Sequence, residues 1–251
     1  MPEASTKSIK KMRTRKIIVA MALACVVLTS CDYEHVRASN EVSTKDLSLS
    51  DYDGLKVSNA FDVFVSFSDD EERIRIEAND NLHDRIVVAR EGNKVIIKLK
   101  KYTTVRGDVT LKAFITTKDI HEFDLSGAAS VTLETPWDIQ RGEIELSGAS
   151  HFTGEVIADK LEIDMNGASK ADIFGNVQSV YADLSGSSDL RNYDLEIERL
   201  NIELSGASEA FLTANESIDI DATGASTLNY KGDAVISHQR LKGASQLKNR
   251  N

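Results

Sequence analysis

The sequence has little cysteine, proline or aromatic side chain. Only two cysteines and two prolines occur among 251 residues, and aromatic residues make up 6% with a single tryptophan. A chain of this length buries a core large enough to need no disulfide or metal for stability. We therefore expect an ordinary globular core and no structural metal or cofactor.

An excess of basic charge is also missing. The formal net charge is −10, and binding to phosphates takes clustered lysine and arginine. This balance argues against nucleic acid as a partner. Long apolar runs are absent after the first thirty residues, so we predict no membrane-spanning helix beyond that point.

The N-terminal region has the layout of a secretory signal. Six basic residues between positions 7 and 16 precede an apolar run from Ile17 to Leu28. The run is too short for a typical transmembrane helix. It ends in Leu28-Thr29-Ser30-Cys31, which resembles a bacterial lipobox. In such signals the cysteine is diacylated, the peptide is cut before it, and the new amine is acylated as well. An ordinary signal peptide with an incidental cysteine is the alternative.

We therefore predict a lipoprotein signal peptide over residues 1–30 and lipidation at Cys31. Cys25 would be removed with the leader, which excludes cysteine catalysis and cysteine metal sites in the mature chain. Residues 31–50 show no sustained helix or strand period and are predicted to be a polar tether. The acyl chains would hold the protein on a membrane of the cell envelope, which we expect to be the outer membrane.

A short motif repeats along the second half of the chain. Seven copies of a Gly-Ala-Ser type sequence follow one another at spacings of 18 to 21 residues. Their central glycines are Gly127, Gly148, Gly167, Gly186, Gly206, Gly224 and Gly243. Apolar and polar residues alternate on both sides of each glycine, as in Leu161-Glu162-Ile163-Asp164-Met165. A period of two predicts strands.

Strand-turn-strand units of about 19 residues cannot bury an apolar face alone, but stacked copies can. The predicted fold is therefore all-β, a parallel β-helix over residues 51–251, with an antiparallel meander as the alternative. Residues 121–251 hold the repeats, and residues 51–120 keep strand character as an atypical N-terminal cap. One helical turn is expected at Asp80 to Asp84 and a tight turn at Glu91-Gly92-Asn93-Lys94.

Serines stand two residues after most of the glycines. A row of nucleophiles is the functional interpretation, and hydroxyls that bond from one coil to the next are the structural one. No base accompanies them at a regular position, so we favour the structural interpretation.

The lipobox, the segment NAFDVFV at 59–65 and the repeats together resemble one known family, the head-GIN-domain proteins described as putative auto-transporter adhesins, which are lipoproteins common in Bacteroidota. The resemblance covers residues 53–245. It implies that the β-helix is right-handed and that the protein acts in adhesion. It transfers no catalytic or binding residue.

A column of acidic residues stands three positions before the glycines. Its members are Asp124, Glu145, Asp164, Asp183, Glu203 and Asp221, and Arg240 takes the seventh place. Carboxylates on stacked strands about 4.8 Å apart repel weakly in water and can attract Ca²⁺. A plain solvated face, partly neutralised by Arg141, Lys160 and Arg199, is the alternative to a strip that binds cations or another ligand.

The predicted function is a membrane-anchored binding, adhesion or structural module, with a glycan or a protein as ligand. A polysaccharide lyase or glycoside hydrolase on a β-helix scaffold is the alternative. We favour a protein that is not an enzyme, because the regular period leaves no inserted loops to wall a cleft. Trp137 lies in a loop and is expected either to pack over the coil edge or to contact a ligand.

Overall fold

Residues 34–251 are described by a computed structural model, and His35–Asn251 form one compact unit in it. The leader and Cys31 lie outside the described residues. Within residues 34–251 the chain forms twenty strands, most of which follow the alternating pattern. They are β1 (Glu34–Arg37), β2 (Val42–Leu47), β3 (Gly54–Val57), β4 (Asp62–Phe67), β5 (Arg73–Asn79), β6 (Ile86–Glu91), β7 (Lys94–Leu99), β8 (Thr103–Arg106), β9 (Leu111–Thr117), β10 (Glu122–Leu125), β11 (Ser130–Leu133), β12 (Trp137–Leu146), β13 (His151–Met165), β14 (Lys170–Leu184), β15 (Asp189–Arg191), β16 (Leu195–Leu204), β17 (Glu209–Ala222), β18 (Thr227–Lys231), β19 (Val235–Leu241) and β20 (Gln246–Asn249).

The repeats stack as parallel coils. Strand β13 pairs with β14 from His151 opposite Lys170 to Met165 opposite Leu184, so the register equals the repeat length. The same parallel pairing links β12 to β13 and β14 to β16. The predicted β-solenoid is confirmed, with about seven turns about 19 residues apart. Its right hand stays a prediction.

Inward-facing columns fill the interior of the solenoid. The position two before glycine is at most 2% exposed in six successive coils, and its members are Leu125, Leu146, Met165, Leu184, Leu204 and Ala222. Each side chain lies on the one from the preceding coil, so the core is continuous along the axis. Within the described range no helix is long and apolar enough to cross a membrane.

The glycines turn the chain at one corner. All seven have φ between 72° and 77°, a region that side chains with a Cβ seldom occupy. Successive corners are also bonded to each other, as where the Ala168 amide donates to the Gly148 carbonyl at 2.7 Å. The motif therefore makes a stack of identical backbone turns.

The N-terminal region completes the solenoid out of sequence order. Strand β3 lies between β7 and β10, and β4 lies between β9 and β11. Strand β5 is antiparallel to both β2 and β9, and β6 and β7 form a hairpin at the predicted turn. A 3₁₀-helix at Asp80–Arg85 confirms the predicted helical turn.

Residues 34–50 differ from the expected tether, and the prediction that they lack regular structure is wrong. Strand β2 pairs with β5 from Val42 opposite Asn79 to Leu47 opposite Ile74, and β1 pairs with β8. Five of the six residues of β2 are exposed. An edge strand with little buried surface needs no alternating pattern, because its partner's backbone supplies the hydrogen bonds.

Five of the six serines after the glycines are buried, and bonds between coils occur in only part of the row, since the hydroxyls of Ser150, Ser169 and Ser188 have no hydrogen-bond partner within residues 34–251. Ser208 and Ser226 are buried and lie 3.1 and 3.4 Å from carbonyl oxygens of Leu184 and Leu204 in the preceding coil. Their hydroxyls thus donate to backbone and not to the next serine.

Trp137 belongs to the core. It is 2% exposed, its indole nitrogen donates to the Ile120 carbonyl at 2.7 Å, and its ring meets Phe123 edge-on at 4.9 Å. Gly142 leaves room for it, since a Cβ there would lie 2.5 Å from the indole. The interpretation of Trp137 as a ligand contact is therefore wrong, and the packing role is correct.

Candidate functional site: a charged face and its groove

The six predicted acidic residues form one continuous column. Parallel pairing places Asp124 opposite Glu145, and the same register brings Asp164 beside Asp183 and Glu203 beside Asp221. All are half-buried except Glu203, which is exposed. The structure thus brings together every member of the set.

Cations close both ends of this acidic column. Asp124 forms an ion pair with Lys56, and Asp221 forms one with Arg240 at 2.6 Å. Lys56 stands three residues before Asn59, the same offset as Asp124 to Gly127. Among residues 34–251 no ion pair is found for the four acidic residues between these ends, which are Glu145, Asp164, Asp183 and Glu203.

A second column runs beside the first, five residues before the glycines. It consists of Glu122, Glu143, Glu162, Tyr181, Asn201 and Asp219, which lie in register across neighbouring coils. Glu122 pairs with Lys94 at one end. The column is acidic over its first three coils and uncharged at Tyr181 and Asn201.

Burial and crowding affect the carboxyl groups in the middle of both columns. Desolvation raises the pKa of Asp164, and the neighbouring carboxylates of Asp183, Glu162 and Glu145 raise it further. Desolvation followed by repulsion from Glu122 and Glu145 likewise raises the pKa of Glu143. The folded state therefore binds protons at these positions more tightly than the unfolded chain does.

Three carboxylates come close enough to share a cation. Oxygens of Glu122, Glu143 and Glu145 all lie within 4.8 Å of one another. Lys94 already neutralises Glu122, and exposed acidic groups often cluster without an ion. Calcium binding by this face stays a prediction.

A groove runs along the solenoid beside the second column. Its volume is about 590 Å³ and its lining spans six coils, from Arg141 to Ser237. Leu161, Val180 and Leu200 form the floor and are each 2% exposed. One rim carries Arg141, Lys160 and Arg199, and the second column forms the other.

Tyr181 is the exposed aromatic residue of this groove. Its side chain is 38% exposed, and its hydroxyl lies 3.4 Å from a carboxylate oxygen of Glu203. Burial and the nearby carboxylates, Glu203 first, raise the pKa of the phenol. The alternation of the sequence predicts that Tyr181 faces outward, but it does not predict the groove, because it does not show where the surface is concave.

Parallel coils of about 19 residues, joined by stacked glycine turns, define a β-solenoid protein with short connections. The family model described as "Putative auto-transporter adhesin, head GIN domain" matches residues 51–234. The chain belongs to this family, as its resemblance predicted.

Several solved structures share the fold. A putative adhesin from Bacteroides fragilis has 21% identity and a TM-score of 0.81, with 86% of this chain and 100% of that chain covered. A protein from Parabacteroides distasonis, described as a putative lipid binding protein, has 22% identity and a TM-score of 0.72, with 87% and 100% covered. A putative adhesin from Parabacteroides merdae has 17% identity and a TM-score of 0.69, with 87% and 100% covered. No curated protein matches the sequence.

Proposed function

We propose that the chain is a lipid-anchored binding or adhesion module of the bacterial cell envelope. Membership of a family described as adhesins carries the proposal. Two of the solved structures with this fold are likewise described as putative adhesins. A rigid stack of short coils that presents one long charged face suits binding of an extended partner.

The form of the connections supports a binding role over catalysis. From β10 to β20 the segments between strands are three or four residues long. Enzymes built on β-helices wall their clefts with long loops over the coils, and segments of this length cannot make such walls. The names of the family and of the similar structures agree with a protein that is not an enzyme.

The anchor is tested at Cys31. The full chain and its Cys31→Ala variant would be expressed in a bacterium that processes lipoproteins and labelled with a radioactive fatty acid. We expect label and membrane fractionation for the unaltered chain only. Equal labelling or equal membrane association of both proteins would contradict the lipoprotein proposal.

Adhesion is tested with the same pair of proteins. Cells that make the unaltered chain should adhere to surfaces coated with mucin or matrix protein more strongly than cells that make Cys31→Ala. Protease treatment of whole cells shows whether the domain faces outward. If cells that make the unaltered chain adhere to no coating more strongly than cells that lack the protein, the proposed function is refuted.

A further inference from the structure

We propose that the groove binds an extended, uncharged oligosaccharide, with the Tyr181 ring stacked on a sugar ring and neighbouring polar side chains bonded to its hydroxyls. The inference rests on the binding role proposed above and names the class of ligand. It is argued from the shape of the groove, the exposure of its aromatic ring and the distribution of charge along it.

The shape suits a linear polymer. Six stacked coils at about 4.8 Å give the groove a length of about 24 Å. It runs along the solenoid axis, since its lining comes from equivalent positions of successive coils. Its volume of about 590 Å³ lies in the range of sites for small molecules. A β-1,4-linked chain of pyranoses is extended and suits a groove along this axis, whereas an α-1,4-linked glucose chain curls into a helix.

Tyr181 offers a stacking surface at the middle of the groove. Its ring is 38% exposed, and no aromatic ring or cation is stacked on it among the residues the structure describes. An aromatic side chain combines a large apolar face with a polar tip. The C–H face of a pyranose with equatorial hydroxyls would cover this face and leave the sugar hydroxyls pointing to the rims.

Uncharged polar groups flank the tyrosine. Ser179 lies two residues before Tyr181, and Asn201 and Ser217 come from the next two coils. Within residues 34–251 the side chains of Asn201 and Ser217 make no hydrogen bond. An amide and a hydroxyl supply both donors and acceptors, as sugar hydroxyls require.

The charges on the two rims disfavour an ionic polymer. A polyanion would lie against Glu162 and the acidic column, and a polycation would lie against Arg141 and Lys160. Arg199, the cation nearest the centre, is already paired with Glu216 at 3.0 Å. The uncharged stretch at Tyr181 and Asn201 therefore selects an uncharged chain.

Binding is tested by calorimetry with the full chain in detergent. The probes are cellohexaose, xylohexaose and mannohexaose, with maltohexaose as the curled chain and a galacturonic acid hexamer as the charged one. We expect at least one extended uncharged probe to bind more tightly than both of these comparison probes.

Variants locate the site. Tyr181→Ala should weaken binding about tenfold or more, as loss of a central aromatic contact does, and Tyr181→Phe should keep most of the affinity because the ring remains. Phe174→Ala is the matched control, since Phe174 lies on the same strand β14, is 37% exposed and lies outside the groove. Equal melting temperatures would confirm that the variants fold.

Three results would overturn the inference. These are no binding of any extended uncharged probe, tighter binding of the charged hexamer, and unchanged binding by Tyr181→Ala. The cell adhesion assay separates this failure from that of the proposed function. If cells that make the protein adhere but the protein binds none of the probes, only the oligosaccharide site is refuted. If cells that make the unaltered chain do not adhere, the wider adhesion role is refuted.

Discussion

The motif glycines are required for two separate reasons. At Gly167 the backbone has φ of 77°, and a Cβ would lie 2.6 Å from the Gly148 carbonyl oxygen. The first feature strains any residue that has a Cβ, and the second leaves no space for one. The same pair of constraints applies along the stack, which explains why the glycine recurs while its neighbours vary.

We expect Gly167→Ala to destabilise the protein by about 2 to 5 kcal/mol, because left-handed strain and overpacking add. Gly92→Ala is the control for strain alone, since Gly92 has φ of 67° and nothing lies within 4 Å of its Cβ position. It should cost only about 1 to 2 kcal/mol. Urea unfolding of the three proteins measures the difference, and equal losses would show that the close approach contributes nothing.

Within strand β13, Asp164 reports the crowding of the acidic column. Its raised pKa means that the folded state binds the proton more tightly than the unfolded chain. The free energy of unfolding therefore falls as the pH rises from the ordinary value of 3.8 through the raised pKa. We expect Asp164→Asn to raise the melting temperature at pH 7, with a gain below about 1 kcal/mol because solvent screens the charges.

The gain from Asp164→Asn should shrink as the pH is lowered and vanish below 3.8, where both states are protonated. Asp159→Asn is the control, because Asp159 is exposed on the same strand and stands outside the acidic column. Thermal unfolding from pH 3 to pH 8 measures both variants. A gain for Asp164→Asn that does not depend on pH would contradict the electrostatic explanation.

Elements that repeat could be predicted from the sequence, and elements that do not repeat could not. Alternation around each glycine fixed the strand type, the register and the acidic column. The first coil was harder to identify because Asn59, at φ of 71°, takes the place of the glycine. Strands β7 and β9 lie beside the first coil although they follow it in the chain. The order of the strands along the sequence therefore does not predict which strands pair there. Strand β2 was missed because it is a polar edge strand.

Across the whole molecule, calcium binding by the acidic column stays a prediction that melting temperatures can decide. The comparison is CaCl₂ against NaCl at equal ionic strength, for the unaltered chain and for the double variant Asp164→Asn, Asp183→Asn. If the column binds calcium, the melting temperature should rise more in CaCl₂ than in NaCl, and the double variant should lose this difference. If the column is only solvated, both salts should raise the melting temperature equally, since both screen the repulsion alike.

The coil formed by β19 and β20 protects the stack beneath it. It pairs with β17 and β18, covers Leu228 and Tyr230, which are at most 8% exposed, and places Arg240 against Asp221 at 2.6 Å. Truncation after Asp233 would uncover this apolar surface and two strand edges, and exposed edges pair with other chains. We expect a lower melting temperature and concentration-dependent self-association, measured by calorimetry and analytical ultracentrifugation.

Arg240→Ala, which removes only the ion pair, should lower stability less and leave the protein monomeric. A truncated chain that stays monomeric and melts like the unaltered protein would contradict the protective role of this coil.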